Sequence, residues 1–290
     1  IIFYYVIKAM LKGTMTKICN SLLHCKKEIF VSFSCNIIAL IAVCVLLSLL
    51  LYKKNPLKLI FQKSSKKITT ICIPMFVISI LTADFLFGLI KNVFSQVGIN
   101  FLSAEYYLQN ESFSINMIVF ILIVITVTLE EILFRGIILN YLRKFDDSIA
   151  ILISAFLFIL LNSSFCNIVS SFFIGIVLGY FVVRSGSVVT AIISRIVFCG
   201  YMHFFFIIQN YISTQYYTLI FGAFNIAIMA LAYIAFIVFS INDKKCFRLH
   251  DGELSIRKEL IAFSTAPATI ILIMVYMFSL LESFKNIYLK

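Results

Sequence analysis

Charge is scarce in this sequence. Asp, Glu, Lys and Arg make up 13% of its 290 residues, and 62% are hydrophobic. Soluble domains carry roughly 25% charged and about 45–50% apolar residues. There is too little polar side chain here to cover a globular surface, so a soluble fold is excluded. Disorder is excluded as well, because unfolded segments are poor in apolar residues and rich in net charge. The eight cysteines form no CxxC pair and no zinc-type spacing, which removes a disulfide framework and a zinc module. Cys35, Cys44, Cys72 and Cys199 stand inside apolar runs, where cysteine acts as a small hydrophobe. No solenoid-type repeat and no low-complexity tract is present. Tryptophan is absent, yet 31 Phe and 14 Tyr bring the aromatic share to 16%. With a mean hydropathy of +1.07, one class is left: a polytopic, all-α membrane protein.

The net charge is +11, from 24 Lys and Arg against 13 Asp and Glu. In a soluble protein that excess favours nucleic acid. Here the basic residues cluster between apolar runs, where they set topology and touch anionic lipid. The expected surroundings are the lipid bilayer, and no nucleic-acid partner is expected.

A spanning helix needs about 20 mostly apolar residues. Hydropathy predicts eight spans, at 29–52, 68–94, 113–142, 147–162, 166–184, 187–210, 216–241 and 258–282. They leave room for one membrane domain, 29–290, preceded by a basic segment, 1–28, with Lys8, Lys12, Lys17, Lys26 and Lys27. That segment lacks the layout of a signal peptide. The chain opens on Ile1 rather than Met, as a fragment or a displaced start would, with Met10 and Met15 as alternative starts. Four loops carry fourteen Lys and Arg, against seven in the two terminal segments. That bias places the loops in the cytoplasm and both termini outside, although the five N-terminal lysines pull the other way.

Ionisable residues inside spans are costly and mark a site by default. Asp84, Glu130, Glu131, Arg135 and Arg195 are such residues, with His203 as a sixth. His24 and His250 fall in basic loops and are expected in solvent. Glu130 and Glu131 follow a long apolar run and open Glu-Glu-Ile-Leu-Phe-Arg. Adjacent helical residues point about 100° apart, so one carboxylate can face the bundle interior while the other turns to a neighbouring helix. Arg135 stands four residues after Glu131, on the same face, and can pair with it. Two readings are open. Buried carboxylates can activate a water as general base, or they can form an ion-pair network that only fixes packing.

The Glu-Glu-x-x-x-Arg motif at 130–135, followed by Gly136, resembles the first motif of the CAAX-protease and bacteriocin-processing (CPBP, or Abi) family. Ser154 to Asn162 (SAFLFILLN) resembles the second motif, Phe-x-x-x-His, at Phe158 and in its apolar filling. Phe172 to Ile193, with Gly175, Gly179 and the Ser-Gly-Ser turn at 185–187, resembles the stretch before the third motif. The likeness covers residues 113–200. It implies a bundle of about eight transmembrane helices, an intramembrane endopeptidase ancestry, and a site at Glu130, Glu131, Arg135, Asn162, Arg195 and Cys199.

The departures from the family pattern fall at the chemistry. Asn162 stands where the second motif ends in His. The third motif, His-x-x-x-Asn, reads Arg195 and Cys199. Asn162 can donate a hydrogen bond but cannot shuttle a proton near neutral pH. Arg195 stays protonated and cannot act as a base. It can supply positive charge to an oxyanion or bind the glutamates directly. Losing a general acid–base typically costs about 10²–10⁴-fold. Two carboxylates beside an arginine, with no imidazole, are a poor zinc site, so neither a metal nor a cofactor is expected. Arg195, Cys199 and His203 are spaced by four along one helix face. His203 is a displaced base or an interfacial residue, and Cys199 is a nucleophile only if Arg195 favours its thiolate. Gly175 and Gly179 form a Gly-x-x-x-Gly, read as close internal packing before dimerisation. Pro74 and Pro267 are expected to kink their spans.

The leading expectation is a non-catalytic CPBP-type protein that binds a membrane protein or peptide. It would serve as a regulator, an immunity factor or a subunit of a membrane complex in a bacterial plasma membrane. The alternative is an active, glutamate-dependent intramembrane endopeptidase with a rewired site. A transporter is disfavoured, because no inverted repeat or paired broken helices are evident.

Overall fold

The computed structural model describes residues 4–11, 27–51, 72–77, 79–81, 113–161, 168–209 and 212–242. Helices account for nearly all of them, and no strand occurs among the described residues. The protein is all-α, as a chain must be when lipid offers its backbone no hydrogen bonds.

In chain order the helices are α1 (4–11), α2 (Lys27–Leu51), α3 (72–77 with 79–81), α4, α5 (Asp147–Ile159), α6 (Ile168–Ser185), α7 (Val188–Gln209) and α8 (Thr214–Asn242). Helix α4 is composite. An α-helix, Phe113–Glu131, runs into a π-helical stretch, Ile132–Leu139, and a final turn, Asn140–Leu142. The runs at 29–52, 113–142, 147–162, 166–184, 187–210 and 216–241 each coincide with a helix. Of the run at 68–94 only α3 is described, and the run at 258–282 lies outside the described residues, as do Asp84, His24, His250 and Pro267. Among the described residues, three stretches are long and apolar enough to cross a membrane: Phe30–Leu51, Ile115–Leu142 and Val188–Gln209. Helix α5 has 13 residues and rises roughly 20 Å, less than the hydrocarbon thickness of about 30 Å.

Local chemistry sets the junctions. The Asp146 carboxylate accepts from Ile149 N at 2.9 Å and caps α5. Arg143 Nε and Asp147 Oδ1, 2.7 Å apart, tie the end of α4 to the start of α5. Gly186, at φ +69°, ends α6 in the left-handed region, and its N–H donates to Val182 O at 2.9 Å. Ser187 Oγ accepts from Val189 N at 3.3 Å and opens α7. The Ser-Gly-Ser turn thus brings α6 and α7 into an antiparallel pair.

Helices α5 and α6 make the most extensive contact in the bundle. A Cβ on Gly175 would stand 2.6 Å from Ala155 Cβ, and one on Gly179 would stand 3.2 Å from Ile151 Cγ2. The Gly-x-x-x-Gly therefore faces another helix of the same chain, and small residues let the backbones approach. One core cluster joins α3, α4, α5, α6 and α7 around Phe76, Ile137, Ile151, Leu178 and Phe181. A second joins α1, α2, α4 and α5 around Tyr4, Leu40, Leu133, Phe134 and Phe158. Helix α1 belongs to the bundle: Tyr4 is buried, its hydroxyl donates to Asn36 Oδ1 at 3.1 Å, and Tyr5 Oη donates to Leu160 O at 2.7 Å. The basic segment 1–28 therefore includes a helix that packs on the bundle through Tyr4 and Tyr5.

Candidate functional site

The two clusters meet where α4 passes between α2, α5, α6 and α7. There the apolar run of α4 ends in Glu130 and Glu131, and the π-helical stretch begins. A π-helix is rare, and it widens the turn. Leu133, Phe134, Arg135, Gly136, Ile137 and Leu139 are all buried within it, so α4 presents nearly its whole circumference to neighbours at this point.

Arg135 is fully buried. Its Nη1 donates to Glu131 Oε1 at 3.2 Å, and its Nε lies 3.2 Å from Glu131 Oε2. This is the pair that the four-residue spacing predicts. Its Nη2 donates to the Gly175 carbonyl at 3.4 Å, which binds α4 to α6 at the place where a side chain on residue 175 would not fit.

Arg195 reaches the same carboxylates from α7. Its Nη1 donates to Glu131 Oε1 at 2.6 Å, and its Nη2 stands 2.7 Å from Glu130 Oε2. The contact to Glu130 is an ion pair by distance, while the N–H direction is off hydrogen-bond alignment. The two carboxylates, set about 100° apart by the helix, converge on one guanidinium because its planar fork spans them. Glu131 Oε1 accepts from both arginines. Two negative and two positive charges share the site, so it is electrically balanced.

An aromatic ring completes it. The Phe158 centroid lies 4.6 Å from Arg135 Cζ and 4.8 Å from Arg195 Cζ. Phe134 meets Phe158 edge to face at 5.3 Å. The aromatic residue of the second motif is thus a cation–π partner for both guanidiniums. Sequence alone showed Phe158 as a motif position and gave no sign of this role. Tyr4 on α1 was also missed. It is near enough to Glu130 for that carboxylate's charge to act on its hydroxyl, and nothing in the composition of the N-terminal segment marks it.

Glu130, Glu131, Arg135 and Arg195 are brought together, and the others are not. Cys199 is a free, half-buried thiol one turn after Arg195. His203 is two turns after Arg195, about 12 Å along the helix, and stacks on Phe120 at 4.7 Å. Among the described residues it makes no hydrogen bond or ion pair with the carboxylates. Asn162 lies outside the described residues. Among the described residues, no three His, Cys, Asp or Glu side chains come together as metal ligands.

The fold and site define a helical membrane protein with a carboxylate–guanidinium centre between its helices. Residues 112–201 match the family model of Rce1-like proteins, described as type II CAAX prenyl endopeptidase Rce1-like. This stretch is about a third of the chain, and it contains Glu130, Glu131, Arg135, Phe158 and Arg195. No curated protein and no solved structure gives a match.

Proposed function

We propose that this protein is a non-catalytic CPBP-type membrane protein. In this reading it binds a membrane protein or a membrane-bound peptide, as a regulator, an immunity factor or an assembly subunit in a bacterial plasma membrane. The observation that carries the reading is the double engagement of Arg195 with Glu130 and Glu131, at 2.7 and 2.6 Å. A general base must be free to take a proton from water. Here the oxygens that would do so already lie against a guanidinium that holds its own proton, and so face a cation where the water would have to sit. Asn162 and Arg195 at the two histidine positions of the family pattern agree with this.

The second reading, a glutamate-dependent intramembrane endopeptidase with a rewired site, draws on one observation. The Glu130 and Arg195 side chains retain 12% and 13% exposure, so neither is sealed off completely.

Comparing protein N-termini in host membranes tests the choice. One sample carries the wild type, and another carries Glu130→Gln or Glu131→Gln at matched abundance. The non-catalytic reading expects identical sets of ends, with a partner that co-purifies equally with both. Ends that vanish only in the Gln variants would establish a protease and name its substrate.

A further inference from the structure

Beside the ion cluster, α4, α7 and the first half of α8 enclose a groove of about 240 Å³. Phe120, Phe198, Cys199, His203, Tyr217 and Phe221 line it. No ionised side chain is among its lining residues, and the neighbouring charges cancel one another within the site. A charged occupant would therefore find no counter-ion there. From Cys199 to Gln209 the groove follows α7 for ten residues, roughly 15 Å. It has less volume than the ~300–1,000 Å³ of pockets that take drug-sized molecules, so it has room for one slender chain and not for a bulkier molecule. One polar feature stands out. The Nε2 atom of His203 is buried and has no hydrogen-bond partner. Its ring lies nearly flat against Phe120 and stacks on Phe206 at 6.4 Å.

A buried polar atom without a partner costs about 1–3 kcal/mol, and such an atom in an apolar groove points to a ligand that supplies the missing oxygen. His203 stands six residues before the end of α7, about 9 Å along its axis, and Gln209 lines the groove at that end. An uncharged amphiphile lying along α7 puts its head at Gln209, an oxygen at His203 and its chain toward Cys199.

We infer that this groove is a binding site for one chain of an uncharged bilayer lipid, a diacylglycerol-type molecule whose hydroxyl or ester oxygen hydrogen-bonds His203 Nε2. The site is separate from the carboxylates, and the inference holds whether or not they are catalytic. A lipid hydroxyl satisfies either imidazole tautomer, whereas an ester oxygen only accepts from Nε2–H.

The test uses the full-length protein in lipid nanodiscs. One probe is a diacylglycerol with a photoreactive diazirine in one acyl chain, and the other is a diazirine-bearing alkane. The wild type is expected to be labelled by both at Phe120 and within 198–206. His203→Phe keeps the groove apolar; it should lower diacylglycerol labelling about fivefold, the weight of one neutral hydrogen bond, and leave alkane labelling unchanged. Cys199→Trp fills the inner end and should remove labelling by both. Diacylglycerol labelling that survives His203→Phe undiminished overturns the proposal. So does labelling spread evenly over the exposed Ile121, Ile125 and Val197.

Discussion

Arg195 on α7 holds Glu131 on α4 at 2.6 Å across 64 residues of sequence, and with its other nitrogen it holds Glu130. This contact joins two of the helices long enough to cross a membrane. Its charge balance means that each member depends on the others.

Replacing Arg195 by Met should therefore destabilise the protein strongly. Removing one partner of a buried ion pair leaves an uncompensated charge, at about 3–5 kcal/mol. Adding Glu130→Gln and Glu131→Gln to Arg195→Met should recover part of that loss. Unfolding by denaturant in detergent micelles measures both. An Arg195→Met protein as stable as wild type would remove the ion lock from the account.

Phe158→Leu should cost roughly 2–4 kcal/mol, from a cavity in the second core cluster and the loss of two desolvated cation–π contacts. The diagnostic is coupling. In the background of Arg195→Met, the same substitution should cost less, because one of its two cations is already gone. Additive losses in a double-mutant cycle would show that the ring acts only by its volume.

The two glycines of α6 should differ. Gly175→Ala drives a methyl to 2.6 Å from Ala155 Cβ and 2.8 Å from its Cα. Backbone cannot yield cheaply, and overpacking of this kind costs about 1–3 kcal/mol. Gly179→Ala meets only the Ile151 side chain, at 3.2 Å, and should cost less. Thermal unfolding of the two variants side by side gives the order, and equal losses would contradict the close approach at Gly175.

Restoring histidines through Asn162→His with Arg195→His should lower stability without producing proteolysis. The double change withdraws a permanent cation from Glu130 and Glu131 and leaves Arg135 alone to balance them. Calorimetry, together with the comparison of protein N-termini, reads both consequences. New peptide ends would mean that the rest of a working site is intact.

The class of protein, six of the eight predicted helical runs and the cluster at 130–135 were legible in the sequence. Burial of apolar side chains in lipid and the spacing of residues on a helix are local or cumulative properties. The pair Glu131–Arg135 follows from a four-residue separation on one helix face. The Gly-x-x-x-Gly was legible as a close contact, but its partner, Ala155 and Ile151 on α5, was not.

What only the tertiary structure decided is who meets whom. Whether Arg195 faces an oxyanion site or the glutamates depends on how α7 rotates and slides against α4, and no spacing within α7 encodes that. Phe158 became the ring beside two guanidiniums because α5 packs at the widened π-helical turn of α4. His203, spaced like a member of the same face, was carried to Phe120 and the groove because a helix advances about 12 Å in eight residues. Composition and periodicity set the elements through local physics. The site was set by contacts between distant residues, which exist only once the bundle has closed around them.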